Sequence, residues 1–201
     1  MPSPAPRLAA LALLLCSTAI FAETADPTLE PKPASAATLA AQQRATESLP
    51  AEDGRDAEFA QRGFLGSRED PIIRNGKGQP VWNLAGYDFV TGAAPASVHP
   101  SLWREMGILR HHGLYEVSDG VWQVRGFDVS NMTVVRGATG WIVIDPLTTR
   151  ETAAAAMELV NAKLGARPVV AVIYSHSHAD HFGGVRGVVT DAEVKSGKTA
   201  I

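Results

Sequence analysis

Three of the six histidines in this 201-residue chain fall, with an aspartate, inside the ten residues "SHSHADHFGG", Ser175 to Gly184. Imidazole and carboxylate side chains gathered this densely are ligands for a transition metal; zinc suits them best, manganese and iron less well. His176 and His178 stand two apart, a spacing that puts both side chains on one side of an extended segment. Asp180 and His181 follow where the chain turns. They are better placed for a second, neighbouring ion than for crowding the first. Gly183 and Gly184 let the backbone bend closely around whatever is bound. The chain holds one cysteine, Cys16, so neither a disulfide framework nor a cysteine zinc site is available to it.

The residues before this loop explain how it is held. "LYEV" and "VWQVRGF" flank "SDG", and Asp-Gly between alternating apolar runs predicts a hairpin. "NMTVVRG" and "GWIVID" around "GATG" predict a second one. A helix follows. Thr148 with Glu151 three residues on reads as a capping box, and Ala153, Met157, Val160 and Leu164 make one apolar stripe that Gly165 ends. "PVVAVIYS" then reads as a strand buried on both faces, since it lacks polar alternation. Strand, helix, strand in this order implies a right-handed crossover between parallel strands. His176 and His178 would therefore lie just past the carboxyl end of a strand, where open α/β sheets place their sites.

The other histidines are weaker candidates. His111 and His112 are neighbours at the end of a short helix expected from Pro100 to about Gly113. Adjacent helical side chains point about 100° apart and cannot easily face one ion, so a solvated or helix-terminal pair is expected. His99, before Pro100, reads as a turn residue.

The rest of the chain sets the context. A net charge of −3 without a basic run excludes nucleic acid and anionic membrane as expected partners. Residues 1–22 read as a signal peptide, with Arg7 before the apolar "LAALALLLCSTAIFA" and cleavage expected after Ala22, so the mature protein would be periplasmic or secreted, with no membrane span left. A lipid anchor on Cys16 is disfavoured by the large Leu15 before it. Residues 23–60 are rich in Ala, Pro and acids and carry no apolar period, which predicts a flexible linker with at most a transient helix. Residues 61–112 would form an N-terminal extension packing on a core domain over residues 113–201.

Longer stretches of the text resemble one family. "VRGFDVSNMTVVRGATGWIVIDPLTTRETAAAAMELV" and "RPVVAVIYSHSHADHFGGVRGVV" are similar to the secreted alkyl sulfatases of the metallo-β-lactamase superfamily, and "WNLAGYDFV" and "HPSLWREMGIL" fit that family's N-terminal segment. The resemblance implies an α/β fold, the first half of an αββα sandwich, and a binuclear zinc centre. It assigns His176 and His178 to one zinc, and Asp180 and His181 to the other, with Asp180 helping to position the hydroxide. Asp145, closing "WIVID", would support the histidine loop without touching metal. The implied reaction is hydrolysis of an amphiphilic alkyl sulfate ester, of the dodecyl sulfate type, to alcohol and sulfate by a homodimeric protein.

Family members carry further ligands, sulfate- and chain-binding residues and a C-terminal domain that have no counterpart before Ile201. Asp191 and Glu193 lie in a polar turn and are not promoted to ligands. This chain therefore reads as a fragment, inactive by itself. The competing readings are another hydrolase of the superfamily (lactonase, thioesterase or β-lactamase), a di-iron oxidoreductase, and a metal-binding remnant without activity.

Overall fold

The computed structural model describes residues 33–50 and 53–201, so the expected signal peptide lies outside the described residues. Helix α1 (Ala36–Ser48) starts at Ser35, whose hydroxyl accepts from the Thr38 amide at 3.1 Å, and it buries no residue. Helix α2 (Arg55–Gln61) follows, tied to the next helix by an Asp56–Arg104 ion pair of 2.9 Å. The stretch expected as a flexible linker with at most a transient helix, residues 23–60, thus holds α1 and most of α2. Its run of alanine and glutamine carries enough helix propensity to form turns without an apolar stripe.

A strand β1 (Phe64–Gly66) and a ribbon of β2 (Ile72–Arg74) and β3 (Pro80–Asn83) precede α3 (Pro100–Leu109). His99 caps α3 by accepting the Ser101 amide on Nδ1 at 3.2 Å, so it does more than turn the chain. The helix stops at Arg110 rather than Gly113, because Gly113 already opens strand β4 (Gly113–Ser118). Then come β5 (Val121–Arg125), β6 (Met132–Arg136), β7 (Trp141–Ile144), α4 (Arg150–Leu164) and β8 (Val169–Ile173). Two short 3-10 turns, Ala179–His181 and Val185–Gly187, and helix α5 (Asp191–Lys195) complete the described chain.

Strand order in the main sheet is β1-β4-β5-β6-β7-β8. Both expected hairpins form, and only β7 and β8 run parallel, joined by α4. One face of the sheet carries Leu114, Trp122, Val124, Met132, Val134, Trp141 and Val143, all buried. Against them α4 sets Ala153, Met157 and Val160 of the expected stripe together with Ala156, with the stripe's Leu164 packed at the margin. The small alanines let the helix approach closely, and Trp122 meets Trp141 edge-on at 5.7 Å. On the far side of α4, Ile73 of the β2–β3 ribbon joins the same core, and Arg68 pairs with Glu158 of the helix at 3.2 Å.

Two local expectations change. The cap of α4 is Thr149 with Thr152, one residue later than the Thr148–Glu151 reading, because Thr148 is held instead by the buried Asp128. Strand β8 is not buried on both faces: Ile173 is 48% exposed and Tyr174 37%. It lies at the margin of the sheet, where its outer neighbour is a single parallel bridge from Ala171 to Ala200. An unbroken apolar run shows that a strand can be buried; what packs on it decides whether it is.

Candidate metal centre

The loop after β8 brings the four sequence-expected ligands together. His176 Nε2 lies 3.0 Å from His178 Nδ1, and the two rings stand 4.6 Å apart. The 3-10 turn then places Asp180 and His181 so that Oδ2 of the first lies 3.2 Å from Nε2 of the second. The His176 and His181 rings are 4.0 Å apart, so the two pairs are neighbours. Asp145 lies beneath them. Its Oδ1 accepts the Ser175 amide at 2.7 Å, and its Oδ2 takes the Ser175 hydroxyl at 2.6 Å and His181 Nδ1 at 2.8 Å.

These bonds assign protons. A carboxylate can only accept, so His181 carries a hydrogen on Nδ1 for Asp145. Its Nε2 also carries one toward Asp180 while the ring is an imidazolium, and offers a lone pair once that proton is lost. Ser175 gives its hydroxyl hydrogen to Asp145, so its oxygen is free to accept from His176 Nδ1, 3.0 Å away. His176 then also presents Nε2 as a lone pair, toward His178. One carboxylate sets the tautomer of a histidine in each pair, one directly and one through Ser175. The Asp145 hydrogen bond holds the His181 imidazolium above the ordinary histidine value, against partial burial and with help from Asp180. Burial by itself would raise the Asp145 carboxyl, but the Ser175 hydroxyl and amide and His181 outweigh it, and the group stays below the usual aspartate range.

Known proteins share this arrangement of sequence. Residues 125–199, which contain all five side chains, match the family model of the metallo-beta-lactamase superfamily. Residues 125–199 belong to that superfamily. A linear primary-alkylsulfatase of Pseudomonas sp is 43% identical over 196 residues, 96% of this chain and 28% of that protein. An (R)-specific secondary-alkylsulfatase of Pseudomonas sp is 41% identical over 97% of this chain and 29% of its own length. An alkyl/aryl-sulfatase of Saccharomyces cerevisiae is 45% identical over 82% of this chain and 26% of its own. The solved structure of the sec-alkylsulfatase Pisa1 from Pseudomonas sp superimposes with a TM-score of 0.77 at 44% identity, covering 84% of this chain and 26% of that one. The chain thus spans under a third of the length of the curated relatives it matches.

Membership in the metallo-beta-lactamase superfamily implies dependence on a metal, and the loop can be tested for fit. A tetrahedral ion with bonds of about 2.1 Å sets its ligand atoms about 3.4 Å apart. The separations of 3.0 Å within His176–His178 and 3.2 Å within Asp180–His181 are a little short of that spacing, at hydrogen-bond length, and an ion would replace the shared proton in each pair. Among the described residues no group of three or more His, Cys, Asp or Glu side chains is set to hold one ion. The fit is therefore of two half-sites, correct in donor type and close in spacing, each with two ligands.

Three residues of this metallo-beta-lactamase segment escaped the sequence reading: Asp128, Ser130 and Ser175. Only Ser175 had a local signal, its place beside His176. The two glycines have a packing role that the sequence reading did not give them. Gly183 and Gly184 lie against the loop between β7 and α4. A Cβ at Gly184 would fall on the Pro146 carbonyl oxygen and within 2.6 Å of that of Thr149.

The remaining histidines and acids have other work. Glu193 caps α5 with Thr190, and Asp191 pairs with Arg186 at 3.1 Å. His112 Nδ1 shares a 2.7 Å hydrogen bond with Ser67. Burial lowers the His112 pKa, His111 lowers it further, and Asp88 opposes them. A depressed folded pKa means the unfolded chain binds more protons, so this contribution to stability is present above about pH 6.5 and is lost as pH falls through the folded value. The stability gained between pH 5.5 and 7.5 should shrink in His112→Gln, measured as the difference in urea midpoints at about those two pH values.

Proposed function

We propose that this chain supplies the histidine loop of a binuclear zinc centre in a protein that hydrolyses alkyl sulfate esters to alcohol and sulfate. The observation that carries the reading is the double pair of ligand atoms, His176–His178 and Asp180–His181, oriented by the single carboxylate of Asp145. Similarity to three alkylsulfatases at 41% to 45% identity supports the substrate class. In this reading His176 and His178 hold one zinc ion, and Asp180 and His181 the other. The chemistry such a pair supplies when bound is Lewis acidity, which acidifies water and offsets negative charge on the sulfate oxygens. The chain's own residues bind and orient: Asp145 and Ser175 hold the imidazole protons away from the ions, and Asp180 brings a formal negative charge to one position only.

Two ligands per ion are too few for a tight site, so activity belongs to a protein that completes both shells. A protein carrying this chain together with the further length of its relatives should release sulfate from dodecyl sulfate in a zinc-dependent manner. The 201 residues alone should release none and should bind zinc weakly. Sulfate release by the purified 201-residue chain would overturn the second statement, and a zinc-independent rate in the longer protein the first. We place this protein in the periplasm or outside the cell, on the strength of Arg7 and the apolar run after it. Mass spectrometry of the exported protein should find residue 23 at the N-terminus; retention of Met1 would refute export by this signal.

A further inference from the structure

We propose that Asp128 and Ser130, on the turn between β5 and β6, are positioning residues that set the geometry of the Asp180–His181 pair; the proposal rests on the reading of this loop as a metal centre. Two carbonyls at the start of the turn are satisfied locally. The His178 carbonyl accepts from His181 at 3.0 Å, and that of Ala179 from Gly183 at 2.8 Å. The Asp180 carbonyl is instead held from outside, by the hydroxyl of the buried Ser130. That carbonyl belongs to the peptide joining Asp180 to His181, so its rotation moves both side chains of the pair at once.

Ser130 is itself fixed by Asp128, two residues earlier. The Asp128 carboxylate is 7% exposed and accepts four hydrogen bonds, all from neutral groups. The Val129 amide, at 2.7 Å, shapes the turn that carries Ser130. The Thr148 amide and hydroxyl, at 3.1 and 2.6 Å, and the Thr152 hydroxyl, at 2.5 Å, anchor that turn to the start of α4. A buried anion suits this place, because the N-terminus of a 15-residue helix carries partial positive charge. The loop containing Asp145 leaves from the same Thr148. Asp128 therefore fixes, in one frame, the base of Asp145 and the peptide of Asp180.

The test uses the whole chain with Ser130→Ala, Ser130→Thr and Asp128→Asn. Amide hydrogen exchange at His181 and Phe182 should quicken about tenfold or more in Ser130→Ala, while the melting temperature changes little. Ser130→Thr, which keeps the hydroxyl, should restore slow exchange. Asp128→Asn must turn an N–H toward one of its donors, and should reproduce the effect with Ser130 in place. Titration with Co(II) reads the consequence for the pair: Ser130→Ala should weaken binding about tenfold and alter the visible spectrum, and Ser130→Thr should not. Unchanged exchange in Ser130→Ala overturns the proposal, as does faster exchange with unaltered cobalt affinity and spectrum. If the unaltered chain and His178→Ala give the same featureless cobalt titration, the metal reading fails, and exchange alone then decides whether Ser130 positions the turn.

Discussion

Asp145→Asn should lower zinc affinity at both positions by about 10- to 100-fold, the range for replacing a carboxylate that orients metal-binding histidines. The substitution preserves size and tolerates the left-handed backbone at φ 57°, so shape is not the cause. What changes is the ability to accept. Asp145 receives three hydrogens in the folded chain, from the Ser175 amide, the Ser175 hydroxyl and His181 Nδ1. An amide offers one oxygen and turns an N–H toward whichever partner is left over. If that partner is His181, the ring must accept on Nδ1 and carry its hydrogen on Nε2, facing Asp180. If it is the Ser175 hydroxyl, the bond to His176 reverses and His176 loses the lone pair it turns toward His178. Either way one pair is mis-protonated before any ion arrives. Competition against a chromophoric chelator measures this, in the chain or in a longer protein that contains it. Equal affinities for Asp145→Asn and the unaltered protein would rule out the orienting role.

The largest effect on stability should come from Gly184→Ala, at about 3 kcal/mol, the upper end for overpacking a rigid site. Gly184 has an ordinary φ of −83°, so alanine meets no strain in its own backbone. The cost is contact. Its Cβ would land on the Pro146 carbonyl oxygen, 2.6 Å from that of Thr149 and 2.9 Å from Ala153 Cβ. Two of these neighbours are backbone in the loop that carries Asp145, and the third is a core position of α4, so none can yield cheaply. Gly165→Ala is the informative contrast. That residue has φ 90° and nothing within 4 Å, so only backbone strain of about 1–2 kcal/mol is expected. Urea unfolding of both variants separates the causes, and a Gly184→Ala loss no larger than that of Gly165→Ala would refute the packing argument.

Much of this fold was legible because its signals are local. Asp119-Gly120 between alternating runs, the Ala153–Leu164 stripe and the apolar run of β8 each fit within a window of fewer than twenty residues, and all three elements form. The histidine loop was legible for the same reason. Its ligands are so close in sequence that a strand end and one 3-10 turn suffice to gather them. What stayed hidden depends on partners far along the chain. Thr148 looks like a cap until Asp128, twenty residues earlier, takes both its amide and its hydroxyl. The close packing of Gly183 and Gly184 on the loop at 146–149 is likewise written nowhere in their own stretch. The exposure of Ile173 depends on what stacks on β8, and nothing in "PVVAVIYS" records that. Asp128 sat inside a stretch whose resemblance was plain, yet its work involves residues that only folding brings near.

Leu147 has a backbone φ of 63°, in the left-handed region that costs a side chain of its kind about 1–2 kcal/mol, and yet it is wholly buried in the core. Burying a leucine yields about 1.5–3 kcal/mol, enough to offset that cost. The loop therefore keeps its shape only while the core grips Leu147, whose carbonyl in turn holds the Gly184 amide at 2.8 Å. Core and histidine loop are thereby coupled: loosening the grip on Leu147 should also release the Gly184 amide. A substitution that shrinks Leu147 should therefore be felt in the histidine loop as well as in the core.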